Sequence, residues 1–334
     1  MLHSTTKALA LEHDLALVDL DGVAYRGHDP IEHAAESLVA ARDAGLGLLF
    51  VTNNASREPE SVADQLTGLG IPTSADEVMT AAQAAAALLR TRLEPGASVL
   101  VVGGAGLVTA VEAAGFRVVT SADDAPDAVA QGFAPDLGWK DLAEAAYAVQ
   151  RGAWYVASNL DLSLPTERGF APGNGSLVGA VRAATGVVPA SAGKPEPEMF
   201  HLAARRRGAS RPLVIGDRLD TDLAGARAAD FPGLHVFTGV STPRDAVLAA
   251  RHERPSYVGA DLRSLLETHP AVQRHDEWWT CRAASARVAR GRLEVTGEGL
   301  VDVVRAACAA AWDAVDSGDR LDADTVPDLS VVDD

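Results

Sequence analysis

Short apolar runs alternate with amphipathic segments along the first third of this chain, and that alternation admits few folds. Residues 15–18 form a buried-strand run that ends in Asp19. Residues 31–44 have helical spacing and stop at Gly45, and residues 46–51 form a second apolar run ending in Thr52-Asn53-Asn54. Residues 61–69 are helical again and end at Gly70, ahead of Ile71-Pro72. Such strand–helix alternation builds βαβ units and a parallel sheet. The pattern returns late, as helix 196–207, strand 212–215, helix 222–229 and strand 235–237. Between these two stretches, residues 81–189 carry strands of their own (98–102, 127–130, 153–157) and their own helices. We therefore expect an α/β chain with a discontinuous core, 1–80 and 190–268, and a second α/β domain inserted at 81–189.

The end of the chain follows a different pattern. Residues 278–289 and 292–295 read as two strands about a turn at Gly291, and Leu300, Val304, Ala307, Ala311 and Val315 mark one helical face. Together they predict a small ββα-like α+β extension over 269–316. Residues 317–334 are acidic, with few large apolar groups, and are expected to be loose. No repeat of fixed period is present.

Composition narrows the function. The chain has 334 residues, 47% of them apolar, enough for about two domains with a sizeable core. Its longest apolar runs, 46–51 and 84–89, are far too short to cross a bilayer. The first dozen residues lack a long apolar stretch with a small-residue cleavage site, so no signal peptide is expected. Cys281 and Cys308 lie 27 residues apart with no CxxC, which fits a reduced, cytoplasmic setting better than a disulfide framework or a zinc site. A net charge of −17, from 29 basic and 46 acidic residues, repels nucleic acid and anionic membrane and makes both unsuitable partners. An anionic substrate would need a locally built site.

Four elements supply candidates for that site. Asp19-Leu20-Asp21-Gly22 follows the first apolar run, and open parallel sheets bind ligands beyond the carboxyl ends of their strands. Carboxylates at i and i+2 can serve two atoms of one reacting group, and Gly22 lets the turn tighten. Thr52-Asn53 ends the next strand with a hydroxyl and backbone N–H groups. Gly193-Lys194-Pro195 brings a point positive charge ahead of a helix. Asp217, Asp220 and Asp222 follow the 212–215 strand. Each element has an ordinary structural reading: helix caps for Thr52 and Asp222, a surface lysine, acids in turns. Their common placement at strand ends favours one site.

This set resembles the haloacid dehalogenase (HAD) superfamily, whose phosphatases carry D-x-D at the first strand, Ser/Thr at the second, then Lys, then a GD-x4-D pair. The resemblance covers about residues 14–265. Asp19 and Thr52 are 33 residues apart, while Thr52 and Lys194 are 142 apart, so a cap domain fits only between the latter two. That arrangement is similar to subfamily IIA, which includes p-nitrophenyl, nucleotide, phosphoglycolate and glycerol-3-phosphate phosphatases. The strings Ser158-Asn159-Leu160-Asp161 and Pro172-Gly173-Asn174-Gly175-Ser176 are similar to that branch as well.

The resemblance implies a Rossmann-like HAD core with a large α/β cap and Mg²⁺-dependent hydrolysis of a phosphomonoester. Asp19 would be the nucleophile that forms an aspartyl phosphate, and Asp21 the general acid and base. Mg²⁺ would be held by the Asp19 carboxylate, the Asp21 carbonyl and Asp217, with Lys194 adding charge and Asp222 acting from behind them. Thr52, Gly22 and the Asn53 N–H would hold phosphate oxygens. Asn159, Asp161 and the 173–176 loop are candidates for substrate contact, with Tyr25 and Arg26 behind them. Glycerol 3-phosphate is the first expected substrate, ahead of nucleoside monophosphates and 2-phosphoglycolate, and a homodimer would form through the cap.

Two readings from other classes compete. The Gly103-Gly104-Ala105-Gly106 turn with Asp123 and Asp124 suggests a dinucleotide site, but Thr109 stands where the third glycine belongs, and a simple strand-to-helix turn is expected instead. A catalytically silent binding module on the same scaffold would be expected to lack part of the acid set. Trp278-Trp279 can form a contact patch or pack the extension onto the core, and packing is the expectation.

Overall fold

The computed structural model describes residues 1–166 and 168–329. The chain forms two compact units, one from residues 1–49, 69–71 and 204 onward, the other from 50–68 and 72–203.

In the first unit, Leu15–Val18 pairs in parallel with Pro212–Gly216, with Leu15 opposite Pro212 and Val18 opposite Ile215. Gly233–Val236 and Tyr257–Gly259 follow on that side, also parallel. On the other side the strand Gly47–Thr52 begins, and there the Gly47 N–H donates to the Asp14 carbonyl at 3.1 Å. Every residue of Leu15–Val18 and of Pro212–Gly216 is buried, as expected of parallel strands covered on both faces, which is why these runs read as continuously apolar.

The helix expected at 222–229 begins earlier and differently. A widened turn over Leu219–Leu223 precedes a short helix, Ala224–Ala228. The Leu223 N–H reaches back five residues to the Arg218 carbonyl at 3.2 Å, and Asp222 accepts the Arg218 N–H at 3.2 Å. Asp222 therefore sits inside this turn and not at a helix start.

The extension also departs from expectation. It holds four antiparallel strands in chain order, Gln273–His275, Trp278–Cys281, Ala284–Ala289 and Arg292–Thr296, packed against the helix Leu300–Asp316. The run read as one strand breaks at Arg282, whose φ of 48° turns the chain. Trp279 packs with Cys281, Ala286, Leu293, Val304, Cys308 and Trp312 against Ala246, Val247 and Val258. Trp312 donates its indole N–H to the Ala246 carbonyl at 3.2 Å, and Arg254 lies 5.2 Å from its ring centroid. Both cysteines are buried free thiols. The expected looseness of 317–334 is corrected for part of that segment, because Val326 and Leu329 are buried in the same core, where two apolar side chains outweigh the acids around them. Residues 330–334 lie outside the described residues.

Arg305 is 1% exposed. It donates to His269 Nδ1 at 3.0 Å and to the His3 carbonyl at 3.1 Å. Arginine can only donate, so Nδ1 is the acceptor and the His269 proton sits on Nε2, aimed at the Ser264 carbonyl 2.9 Å away. Burial, reinforced by the Arg305 charge, lowers the His269 pKa to about 4.

The second unit has a five-stranded parallel sheet in the order Ala190–Ser191, Trp154–Ala157, Ala128–Gln131, Ser98–Val102, Arg117–Val119. Helices Trp139–Gln150 and Asn174–Thr185 bury Ala145, Val149, Val178 and Val181 in its core. The same unit pairs Phe50–Thr52 with Val78–Thr80. Thr80 then opens helix Ala81–Leu89 by accepting the Gln83 N–H, while Gln83 accepts the Thr80 N–H, a reciprocal cap on an alanine-rich segment. The glycine-rich run 103–106 is a strand-to-helix turn into Ala105–Ala113. Its Gly106 lies against the Arg57 backbone, where a Cβ would come within 2.5 Å of the carbonyl oxygen.

Candidate active site

In the first unit, the chain end of Leu15–Val18 sets Asp19. Its N–H donates to the Ile215 carbonyl at 2.9 Å, so strand pairing persists up to the acid. A tight turn follows, closed by the Gly22 N–H to the Tyr25 carbonyl at 2.8 Å. Gly22 has a φ of +83°, and a Cβ there would lie 2.6 Å from Asp217 Oδ2, so both its conformation and its space call for glycine. Asp21 is exposed, and its Oδ1 accepts the Gly27 N–H at 3.5 Å.

Asp217 follows Pro212–Gly216 and is fully buried. Its Oδ2 accepts the Val240 N–H at 2.6 Å, and its carbonyl accepts the Ser241 N–H at 3.1 Å. Ser241 Oγ in turn accepts the Leu219 N–H at 3.1 Å. Gly239 lies so close that any Cβ would collide with the Asp217 carboxylate. His235, beneath this loop, points Nε2 at both the Asp217 and Ser241 carbonyls, each 3.2 Å away, which fixes the proton on Nε2. Full burial lowers its pKa to about 4, so it is a neutral donor. Thr238 Oγ1 donates to the Gly22 carbonyl at 2.6 Å, and Arg26 donates to the Thr238 carbonyl at 2.7 Å. Arg26 thus ties this loop to the turn after Asp19.

Asp19, Asp217 and Asp222 each offer a carboxylate oxygen, and the three lie within 4.8 Å of one another. Three anionic groups this close repel strongly unless a cation neutralises them. An all-oxygen donor set suits a hard divalent ion such as Mg²⁺ or Ca²⁺, and glycine at 22 and 239 leaves room for the Asp217 carboxylate where the Val240 N–H seats it. The residues present fit such an ion, and the Asp222 carboxylate lies in the same group. Asp220 faces away from this duty. Burial works against its charge, yet the two bonds from Arg218, at 3.1 and 2.8 Å, hold its carboxyl below the usual range.

In the second unit, Thr52, Asn53, Asn159, Asp161 and Lys194 come together. Thr52 Oγ1 accepts the Asn54 N–H at 3.1 Å, and Lys194 Nζ donates to the Val51 carbonyl at 3.2 Å. Lys194 is 4% exposed and is not the surface lysine of the ordinary reading. The Asn53 side chain bonds the Lys194 backbone and Asp161, and Asn159 Nδ2 donates to the Asn53 carbonyl at 2.7 Å. Asn174, 2% exposed, donates to the Asn159 carbonyl at 2.8 Å, and Ser176 Oγ donates to the Leu162 carbonyl at 2.7 Å. Gly173 and Gly175 pack directly on the backbone of Leu160 and Asp161. The 173–176 loop therefore braces the 159–162 segment.

Sequence reasoning missed His235, Gly239, Val240 and Ser241. The available signal was the Thr-Gly-Val-Ser string directly after the 235–237 strand, a further strand end in the same sheet.

Comparison with known proteins agrees with this geometry. Residues 16–117 match the model of the haloacid dehalogenase-like hydrolases, and residues 191–265 match that of the HAD-hydrolase-like proteins. The chain is 46% identical over 320 residues to a D-glycerol 3-phosphate phosphatase of Mycobacterium tuberculosis, covering 92% of this chain and 88% of that one. It is 37% identical to an acid sugar phosphatase of Staphylococcus saprophyticus, over 75% of this chain and 96% of the relative. The crystal structure of the glycerol phosphate phosphatase of M. tuberculosis in complex with magnesium superposes with a TM-score of 0.86, covering 92% of this chain and 93% of that one at 46% identity. The carboxylates gathered at the ends of two parallel strands and these matches lead to one conclusion: the chain belongs to the haloacid dehalogenase-like hydrolases.

Proposed function

We propose that this protein is a Mg²⁺-dependent phosphomonoester hydrolase that works through an aspartyl phosphate and takes glycerol 3-phosphate as its substrate. The observation that carries the reading is the Asp19–Asp217–Asp222 carboxylate group at strand ends in a HAD-like hydrolase. The choice of ester rests on the 46% identity to a D-glycerol 3-phosphate phosphatase.

Asp19 attacks phosphorus and splits one hard displacement into two easier ones. Asp21, exposed beside it, protonates the leaving oxygen and then takes the proton of the attacking water. Asp19, Asp217, Asp222 and the Asp21 carbonyl would hold Mg²⁺, whose charge would offset the repulsion between the nucleophile and a phosphate dianion. Thr52, Gly22, the Asn53 N–H and Lys194 bind the phosphate oxygens. Asn159 and Asp161 are the cap residues assigned to substrate contact. The division into a core of 1–80 and 190–268, a cap of 81–189 and an extension from 269 belongs to this reading.

The enzyme works in the cytoplasm, a setting supported by its two free thiols. A second copy docks on the cap helix Trp139–Gln150, where Trp139 and Tyr147 are 76% and 43% exposed.

The test is phosphate release from glycerol 3-phosphate, 2-phosphoglycolate, a nucleoside monophosphate and a sugar phosphate, with Mg²⁺ and then with EDTA. Release that requires the metal and favours glycerol 3-phosphate is the expected result. Preference for another ester would replace the substrate but not the class, and a folded protein that releases none would favour the binding module.

A further inference from the structure

Asn53 uses both ends of its side-chain amide on the segment that carries Lys194. Its Oδ1 accepts the Lys194 backbone N–H at 2.8 Å, and its Nδ2 donates to the Lys194 carbonyl at 3.1 Å. The same Nδ2 donates to both carboxylate oxygens of Asp161, at 3.2 and 3.1 Å. These partners leave one orientation for the amide. Turned over, its oxygen would face a carbonyl and a carboxylate while its NH2 group faced an N–H. Asp161 and the Lys194 backbone together set which way the amide points.

Further contacts fix the pair. Asn159 Oδ1 accepts the Asp161 N–H at 3.1 Å while its Nδ2 holds the Asn53 carbonyl, so one side chain spans both partners. Gly193 completes the fit, because a Cβ there would come within 2.6 Å of Asn53 Oδ1 and of the Ser158 carbonyl.

We propose that Asn53 is a positioning residue for Lys194, and that Asp161 acts on Lys194 through it by fixing the Asn53 amide. Lys194 has a flexible four-carbon stem, and a point charge on such a stem stabilises a reacting phosphate only if its backbone is held in place. The kinetic half of this inference rests on the phosphatase reading above, while the structural half does not.

Lys7, Lys140 and Lys194 are the only lysines in the chain, and the first two are exposed. Acetylation of the folded protein, followed peptide by peptide by mass spectrometry, therefore reads Lys194 against two internal controls. In the wild type Lys194 should react slowly. Asn53→Ala and Asp161→Ala should raise its rate several-fold with Lys7 and Lys140 unchanged, while Asp161→Asn, which keeps an oxygen acceptor for Asn53 Nδ2, should stay near the wild-type rate. In steady-state kinetics the two alanine variants should lose about 10-fold or more in kcat with a smaller change in KM, and Asp161→Asn should recover most of it. A wild-type Lys194 rate in Asn53→Ala, or an Asp161→Asn variant as impaired as Asp161→Ala, would overturn the proposal. If the wild type releases no phosphate, the phosphatase reading fails and the labelling result alone decides the positioning role.

Discussion

Gly22 and Asp217 occupy one another's only space: a Cβ on Gly22, held at a φ of +83°, would sit 2.6 Å from Asp217 Oδ2. Gly22→Ala therefore carries a left-handed backbone penalty of about 1 kcal/mol and also displaces the carboxylate. We expect Mg²⁺ affinity, measured by calorimetry, to fall by about 10-fold or more. Gly45→Ala is the control, because Gly45 has a φ of +101° with nothing within 4 Å. It should lose stability and keep its metal affinity. Equal metal affinity in both variants would reject the cradle.

Replacing the acids one at a time should separate their roles. Asp19→Asn should remove turnover by at least about 10³-fold, since in the proposed mechanism the Asp19 carboxylate becomes the acyl phosphate. Asp21→Asn should cost about 10²–10⁴-fold while Mg²⁺ still binds, because in the proposed mechanism position 21 offers the metal its backbone oxygen. Near-wild-type rates in Asp19→Asn would end the nucleophile assignment.

Acid should weaken the fold through His269. Its pKa is about 4 in the folded protein against an ordinary 6.5, so below pH 6.5 the unfolded chain takes up a proton that the folded one refuses. This contribution is intact above pH 6.5 and is lost as pH falls towards 4, by up to about 1.4 kcal/mol per pH unit. Urea melts between pH 7 and 4.5 should show that slope. His269→Gln, which can still accept from Arg305 and donate to Ser264, should reduce it and leave the share of His235, whose pKa burial lowers likewise, and an unchanged slope would assign the acid sensitivity elsewhere.

Trp312 joins the extension to the helix Pro243–Leu248. Trp312→Ala should cost about 3–5 kcal/mol in denaturant unfolding, the usual range for emptying a large aromatic site. Removal of residues 269–334 should expose Ala246, Val247 and Val258 and lower the melting temperature. A truncated chain with unchanged stability, assembly state and kinetics would show that the extension has no part in holding the core.

The strands that matter most were legible because burial on both faces writes itself as a continuous apolar run, as in Leu15–Val18 and Pro212–Gly216. The positions of Asp19 and Asp217 followed from those runs. Their convergence was expected from their common placement at strand ends and from the family resemblance, while the pairing of residue 15 with residue 212 that produces it was not legible. The Val240 N–H that seats Asp217 comes from a backbone group, which every residue carries and no composition reveals. The Asn53–Asp161 bond was equally hidden, since isolated Asn and Asp read as turn residues wherever they fall. The extra turn at Arg282 went unseen because a left-handed arginine leaves no glycine to mark it.

The two buried thiols have a practical use. The Cys281 pKa is raised to about 11 and that of Cys308 is raised as well, both chiefly by burial, so neither is a nucleophile while the extension stays closed. One lies on a strand and the other on the helix packed against it. A thiol-reactive dye added to the native enzyme should therefore act as a clock for opening of the last 66 residues, with no engineered probe required, and Mg²⁺ or substrate that slows the clock would reveal how far their binding is felt from the carboxylates.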